Sequence, residues 1–403
     1  MKYSRILGLT LGMVTFVTVA QAQSFNLLWE STTFRSPSDS AQSVAALRNR
    51  VIAGEVLGRA DNSGQDVLVK AFNPTTGHLV WTDEISDGYW VRVETAGDLA
   101  VAAIARTTPE LLLRGYDLKT GDIRWTAHTS LDLPKAVLVR NGRIAVVGYS
   151  QVTDPSTGLF LVAGVILVHD LGTGRELWRV EEVQPPIIPL KDTIFLDLDD
   201  QARNLIVIGT VGQTELHVRS YRFTDGFLRW EQVVPNTFAM QVEISGHEAV
   251  IAGFSNGATY LVAFDIGTGH LLWQAAPEMG RAFTWLRLTA TQVIVSGTFT
   301  IQAYDRLSHE VVWRKPLTAD QAIPHIRPIG RFLAVAEIDS PLFGPPTTSL
   351  QLLDPATGDT VFDLPLSTAI VRDALVFQNR LILVGSSDAG AFVKVFAIEP
   401  VDP

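Results

Sequence analysis

The sequence predicts an all-β fold: an eight-bladed β-propeller of four-stranded antiparallel blades, closed by an N-terminal strand that completes the last blade. Three observations predict it. A short motif ending in an aromatic residue recurs down the whole chain, strand-sized apolar runs fill each interval, and the two termini carry complementary parts of one unit. The aromatics are Trp29, Trp81, Trp125, Trp178, Trp230, Trp273, Trp313 and Phe362, spaced by 52, 44, 53, 52, 43, 40 and 49 residues. A period of about 40–50 residues belongs to solenoids, propellers and arrays, in which each repeat is one supersecondary unit.

The third repeat shows the elements in order. Residues 136–139 form a first strand ending at the turn Asn141-Gly142, and residues 144–148 form a second. After a loop around Pro155, residues 165–168 form a third strand that runs into the turn from Asp170 to Gly174, and residues 176–179 form the fourth. Short β-branched and apolar runs bounded by Gly, Asn, Asp and Pro are strand signals. The second strand recurs with a small residue at its end: Gly54, Gly148, Gly209, Gly253, Gly297 and Gly385. A residue without a side chain there is expected to let the neighbouring blade approach.

In the third-to-fourth strand turn, the Asp side chain accepts backbone N–H groups while Gly supplies the positive φ that a tight hairpin needs. The Trp four residues later then stands on the outermost strand, where its ring covers the gap between blades and its N–H reaches a backbone carbonyl. All eight aromatics are therefore assigned a structural docking role. Closure follows from the ends. Residues 393–400 match residues 67–74 but stop before a tryptophan strand, and the missing strand is residues 26–30, which resemble residues 270–274. Placed in the last blade, that strand leaves no open edge in the ring.

Residues 1–22 read as a secretory signal: Lys2 and Arg5, an apolar stretch over residues 6–19, and Ala20-Gln21-Ala22 before Gln23. Residues 23–403 are then a single propeller, periplasmic or secreted in a bacterium, with no transmembrane segment after cleavage. The chain has no cysteine, which excludes disulfides, thiolate metal sites and thiol nucleophiles. Formal net charge is −10, or −12 without Lys2 and Arg5, and no basic block occurs, so nucleic acid is not an expected partner.

Residues 71–81 and 263–273 resemble the tryptophan-docking repeat of the pyrroloquinoline-quinone (PQQ) type propellers, Ala-x-Asp-x-x-Thr-Gly-x-x-x-Trp. The resemblance extends over residues 24–403. It implies one of two functions: a non-catalytic protein-interaction scaffold of the cell envelope similar to BamB, or a PQQ-dependent quinoprotein oxidoreductase holding PQQ with Ca²⁺. The chain departs from both patterns. Many quinoproteins stack the cofactor on a cysteine pair, and BamB-type lipoproteins place a cysteine where this chain has Gln23. The scaffold reading is preferred, with an envelope or periplasmic protein as partner and neither catalytic residue nor cofactor.

Other motifs dissolve into the repeat. Gly172-Thr173-Gly174 and Gly267-Thr268-Gly269 precede strands, not the helix that a phosphate cradle requires. The stretch His309-Glu310-Val311-Val312-Trp313 has Trp where a zinc protease needs its second His. Asp197, Asp199 and Asp200 are expected in the first hairpin turn of the fourth blade. The longer loops, residues 60–66, 152–158, 184–192, 318–324 and 339–349, all emerge on one face, which suggests a binding surface, with neutral loop drift as the competing reading. The innermost strands there place Trp90, Arg92, Lys135, Trp285, Arg287, Arg327 and Arg372 around the channel mouth. Such cations suit an anionic small molecule or an acidic peptide; pairing between blades is the competing structural role.

Overall fold

A computed structural model describes residues 23–400, apart from residues 60, 62, 154–159, 184–193, 200, 202, 212–214, 256–257, 278–282, 298–299, 318–320, 330–331, 340–346 and 367–368. The described residues form 32 strands in eight four-stranded sheets, each antiparallel throughout. Seven blades are simple meanders spanning residues 40–86, 88–129, 133–183, 194–235, 237–275, 283–316 and 321–365. The eighth combines residues 370–400 with the N-terminal strand Gln23–Thr33. The innermost strands contact one another in sequence, and the first (Ser40–Leu47) meets the last (Ile370–Phe377), so the ring is closed. Among the described residues no helix is long and apolar enough to cross a membrane.

Closure is held by side chains as well as by the ladder. Trp29 is opposite Val395 and Leu27 opposite Phe396 in the antiparallel register. The N-terminal strand then crosses to the first blade through a loop organised by Asp39. Its carboxylate, 1% exposed, accepts the backbone N–H groups of Arg35, Ser36 and Gly58. At this junction the buried Lys70 ammonium donates to Thr33 Oγ1 and to Glu55 Oε2 (2.8 Å).

Strands run longer than the sequence suggested. In the third blade they are Leu133–Arg140, Arg143–Thr153, Phe160–Asp170 and Glu176–Val183, because hairpin ladders continue past the apolar runs that nucleate them. The predicted turn chemistry is present: Asp117 Oδ1 accepts the N–H groups of Lys119 (2.9 Å) and Thr120 (3.0 Å), and Gly121 has φ 82°. The small residue of the second strand has two different roles. At Gly54 a Cβ would meet Val91 of the next blade at 2.9 Å, as expected. At Gly148, Gly253 and Gly385 it would instead strike the carbonyl oxygen of Leu133, Phe238 or Ile370 in the innermost strand of the same blade.

Those carbonyls lie beside a feature the sequence did not announce. Innermost strands carry a β-bulge near their start, at Gln42, Tyr89, Lys135, Met240, Thr284 and Arg372, with a further irregularity between Ala322 and His325. A bulge leaves one residue unpaired and re-aims its side chain. Repeated in most blades, it bends the innermost strands near their start, whereas the described residues of the fourth blade's innermost strand pair in regular register.

Candidate functional site

The innermost strands are edges, and each would expose a row of unpaired N–H groups to the channel. Side chains from the preceding blade meet many of these donors. Gln42 Oε1 and Ser43 Oγ accept the N–H groups of Val91 (3.2 Å) and Val93 (3.0 Å). Asp197 Oδ2 accepts Ile244 N (2.9 Å), Gln241 Oε1 accepts Leu286 N (2.9 Å), and Asp373 Oδ2 accepts Val44 N (3.2 Å). Polar residues on innermost strands therefore join neighbouring blades, a role that spacing alone did not reveal.

The channel holds a cavity of about 560 Å³ whose wall includes Trp90, Arg92, Lys135, Arg140, Asp197 and Arg287. Four of the seven predicted site residues are thus brought together. Arg92 and Arg287 also border an adjoining space of about 430 Å³ against Asp373. Both are ion-paired across blades: Arg92 Nη1 with Asp373 Oδ2 (3.3 Å) and Arg287 Nη1 with Glu243 Oε2 (3.1 Å). Arg92 Nε also lies 3.5 Å from Glu94.

Lys135 and Arg372 occupy bulge positions and are exposed; the Lys135 ammonium stands 6.0 Å from the centre of the Tyr149 ring. Trp285 is half-buried and follows the bulge of the sixth blade. Arg327 pairs through its backbone with Ala334, and its side chain lies outside the described residues. Of the long loops, residues 154–159, 184–193 and 340–346 lie outside the described residues as well.

The placement of Asp197 is a correction. It lies within the innermost strand Ile194–Leu198 of the fourth blade, not in the following turn. Enclosed by protein on most sides and close to Glu243, its carboxyl is pushed up to about 7 by burial and then by that like charge. Asp199 does sit at the turn, where its oxygens accept Arg203 N (2.6 Å) and Asn204 Nδ2 (2.7 Å). Asp200 is outside the described residues.

On the outer strands the tryptophans share one geometry. Trp29, Trp81, Trp125, Trp178, Trp230 and Trp313 donate Nε1–H to the carbonyl oxygens of Pro74, Leu118, Leu171, Phe223, Ile266 and Pro355 in the next blade, at 2.7–3.3 Å. Each ring lies against the turn glycine of that blade so closely that a Cβ on Gly77, Gly121, Gly174, Gly226, Gly269 or Gly358 would come within 2.7 Å of it. A bulge just before each of these tryptophans turns the ring toward the junction. Phe362 is half-buried and packs on the cluster shared by the seventh and eighth blades. Trp273 departs from the pattern and bonds to Glu248 instead.

Many solved structures share this fold, among them the following three. The chain aligns over 93% of its length with all of BamB from Moraxella catarrhalis, at TM-score 0.64 and 19% identity. It aligns over 91% of its length with 98% of the computationally designed Ika8 protein (TM-score 0.61, 17% identity). The Dos1 propeller matches over 93% of this chain and 95% of its own (TM-score 0.60, 10% identity). No curated protein matches the sequence. The family model for outer membrane protein assembly factor BamB matches residues 65–314, more than half of the chain. With the docking repeat, the closed eight-bladed ring and this match together, the chain belongs to the BamB family of PQQ-type propellers.

Proposed function

We propose that the chain is a protein-interaction scaffold of the bacterial cell envelope, exported by residues 1–22 and working without catalysis or cofactor. The observation that carries this reading is the family match, with its name drawn from outer-membrane assembly. The site supports it. The channel rim presents chemically varied side chains at its bulges, the half-buried Gln42, Tyr89 and Met240 and the exposed Lys135 and Arg372, on a closed ring. Varied groups on a fixed scaffold suit recognition of another protein surface. Lys135 and Arg372 there favour an acidic segment of the partner.

The PQQ and Ca²⁺ alternative fits these residues less well. A hard cation needs several free oxygen ligands. On the channel wall Asp373 is committed to Arg92 and Val44 N, Glu243 to Arg287, and Asp197 to Ile244 N. The test is site-specific photo-cross-linking in cells from residue 135 or residue 372. The expected result is a discrete adduct with one envelope protein. Absence of any adduct, or PQQ- and Ca²⁺-dependent dye reduction by the purified protein, would reject the scaffold.

A further inference from the structure

The junction between the fifth and sixth blades breaks the docking rule. The turn of the sixth blade reads Asp305-Arg306-Leu307-Ser308-His309, so a histidine at φ 60° stands where six other turns place glycine. No tryptophan ring can lie flat on that backbone. Trp273 instead stacks on the His309 imidazole (4.9 Å between centres, 28° between planes) and donates Nε1–H to Glu248 Oε1 (2.5 Å). Glu248 Oε2 receives Arg306 Nη2 (2.8 Å), while Arg306 Nη1 reaches Ser245 Oγ and the Thr289 carbonyl. The polar groups beneath the ring thus satisfy one another.

What this leaves is a groove of about 550 Å³ on the hairpin-turn face, bordered by His247, Leu272, Trp273, Leu307 and His309. Its walls are chiefly apolar. Leu307 is 92% exposed, and Leu271, Val311 and Val312 extend the apolar rim along the two outer strands. Of its lining residues, Glu248 and Asp305 carry carboxylates against one arginine, Arg306, whose charge Glu248 already meets; Asp265 acts electrostatically on the lining His247, and Glu310 follows His309 in the chain. Apolar surface rimmed by charge is the signature of an interaction site.

We propose that this junction is a docking groove for an extended segment of a partner protein. That segment inserts one leucine or aromatic side chain against the Trp273–His309 stack and carries lysine or arginine beside it to match the acidic rim. The inference rests on the scaffold reading but uses the face opposite the long loops.

A fluorescein-labelled peptide Gly-Lys-Leu-Phe-Leu-Lys-Gly, titrated against the purified full chain by anisotropy, tests it. The expected result is saturable binding, weakened about tenfold or more by Leu307→Asp and by His309→Gly, as loss of a buried anchor implies. His309→Gly restores the glycine platform, lets Trp273 close the groove, and leaves the thermal midpoint no lower. Equal binding by the two variants and the parent, no saturable binding, or equal binding of a peptide with glutamate for lysine would each overturn the proposal. The cross-link from residue 135 is expected to persist in both variants, so failure of the groove is separable from failure of the scaffold.

Discussion

At the scale of single residues, the half-buried Asp197 and the buried Lys70 dominate. Asp197 binds its proton more tightly in the folded chain than in the unfolded one, so the folded state holds extra protons between about pH 4 and pH 7. Stability therefore falls as pH rises through that window and levels off above it. Asp197→Asn removes the penalty. The variant is expected to exceed the parent by on the order of 1–2 kcal/mol at pH 8 and to show no advantage at pH 4, read by urea unfolding. Lys70 presents the opposite case. Removing it in Lys70→Ala leaves Glu55, fully buried, without its cation, and the expected loss is about 3–5 kcal/mol in the same assay.

At the scale of elements, the unit of stability is a tryptophan strand seated on the turn of the next blade. Trp125→Ala removes a ring that is 8% exposed together with its bond to the Leu171 carbonyl, and about 3–5 kcal/mol is the expected loss. Gly174→Val attacks the same dock from the other side, forcing a branched side chain into a φ of 71° and against Trp125. The pair is expected to be non-additive in a double-mutant cycle, because both remove one contact.

Much of this element was legible in the sequence. Asp, Gly and Trp act locally and recur at fixed offsets, so their roles can be read from Asp117, Gly121 and Trp125 alone. The innermost-strand bulges were not legible, because a bulge depends on what the neighbouring strand tolerates: Gly148, Gly253 and Gly385 looked like contacts between blades and prove to accommodate the blade's own bulged strand. The caps Ser43, Gln241 and Asp373 were hidden for the same reason, because the backbone N–H groups they accept belong to another repeat. The altered fifth-to-sixth junction did leave a signal, His309 where the other turns place glycine.

At the scale of the whole molecule, the closed ring presents two faces that differ. The face of the interblade loops carries the bulge ring, with Lys135 and Arg372 exposed; the hairpin-turn face carries the docks and the groove beside Trp273. Neither surface exists unless the first strand completes the last blade. Because the chain has no cysteine, that step is open to direct measurement. Asn26 and Ala397 are register partners across the closing ladder. Asn26→Cys with Ala397→Cys, oxidised in the folded monomer, is predicted to give near-complete intramolecular disulfide and a raised thermal midpoint. Free thiols that persist under oxidation, or disulfides that form only between chains, would contradict a ring closed by its own N-terminus.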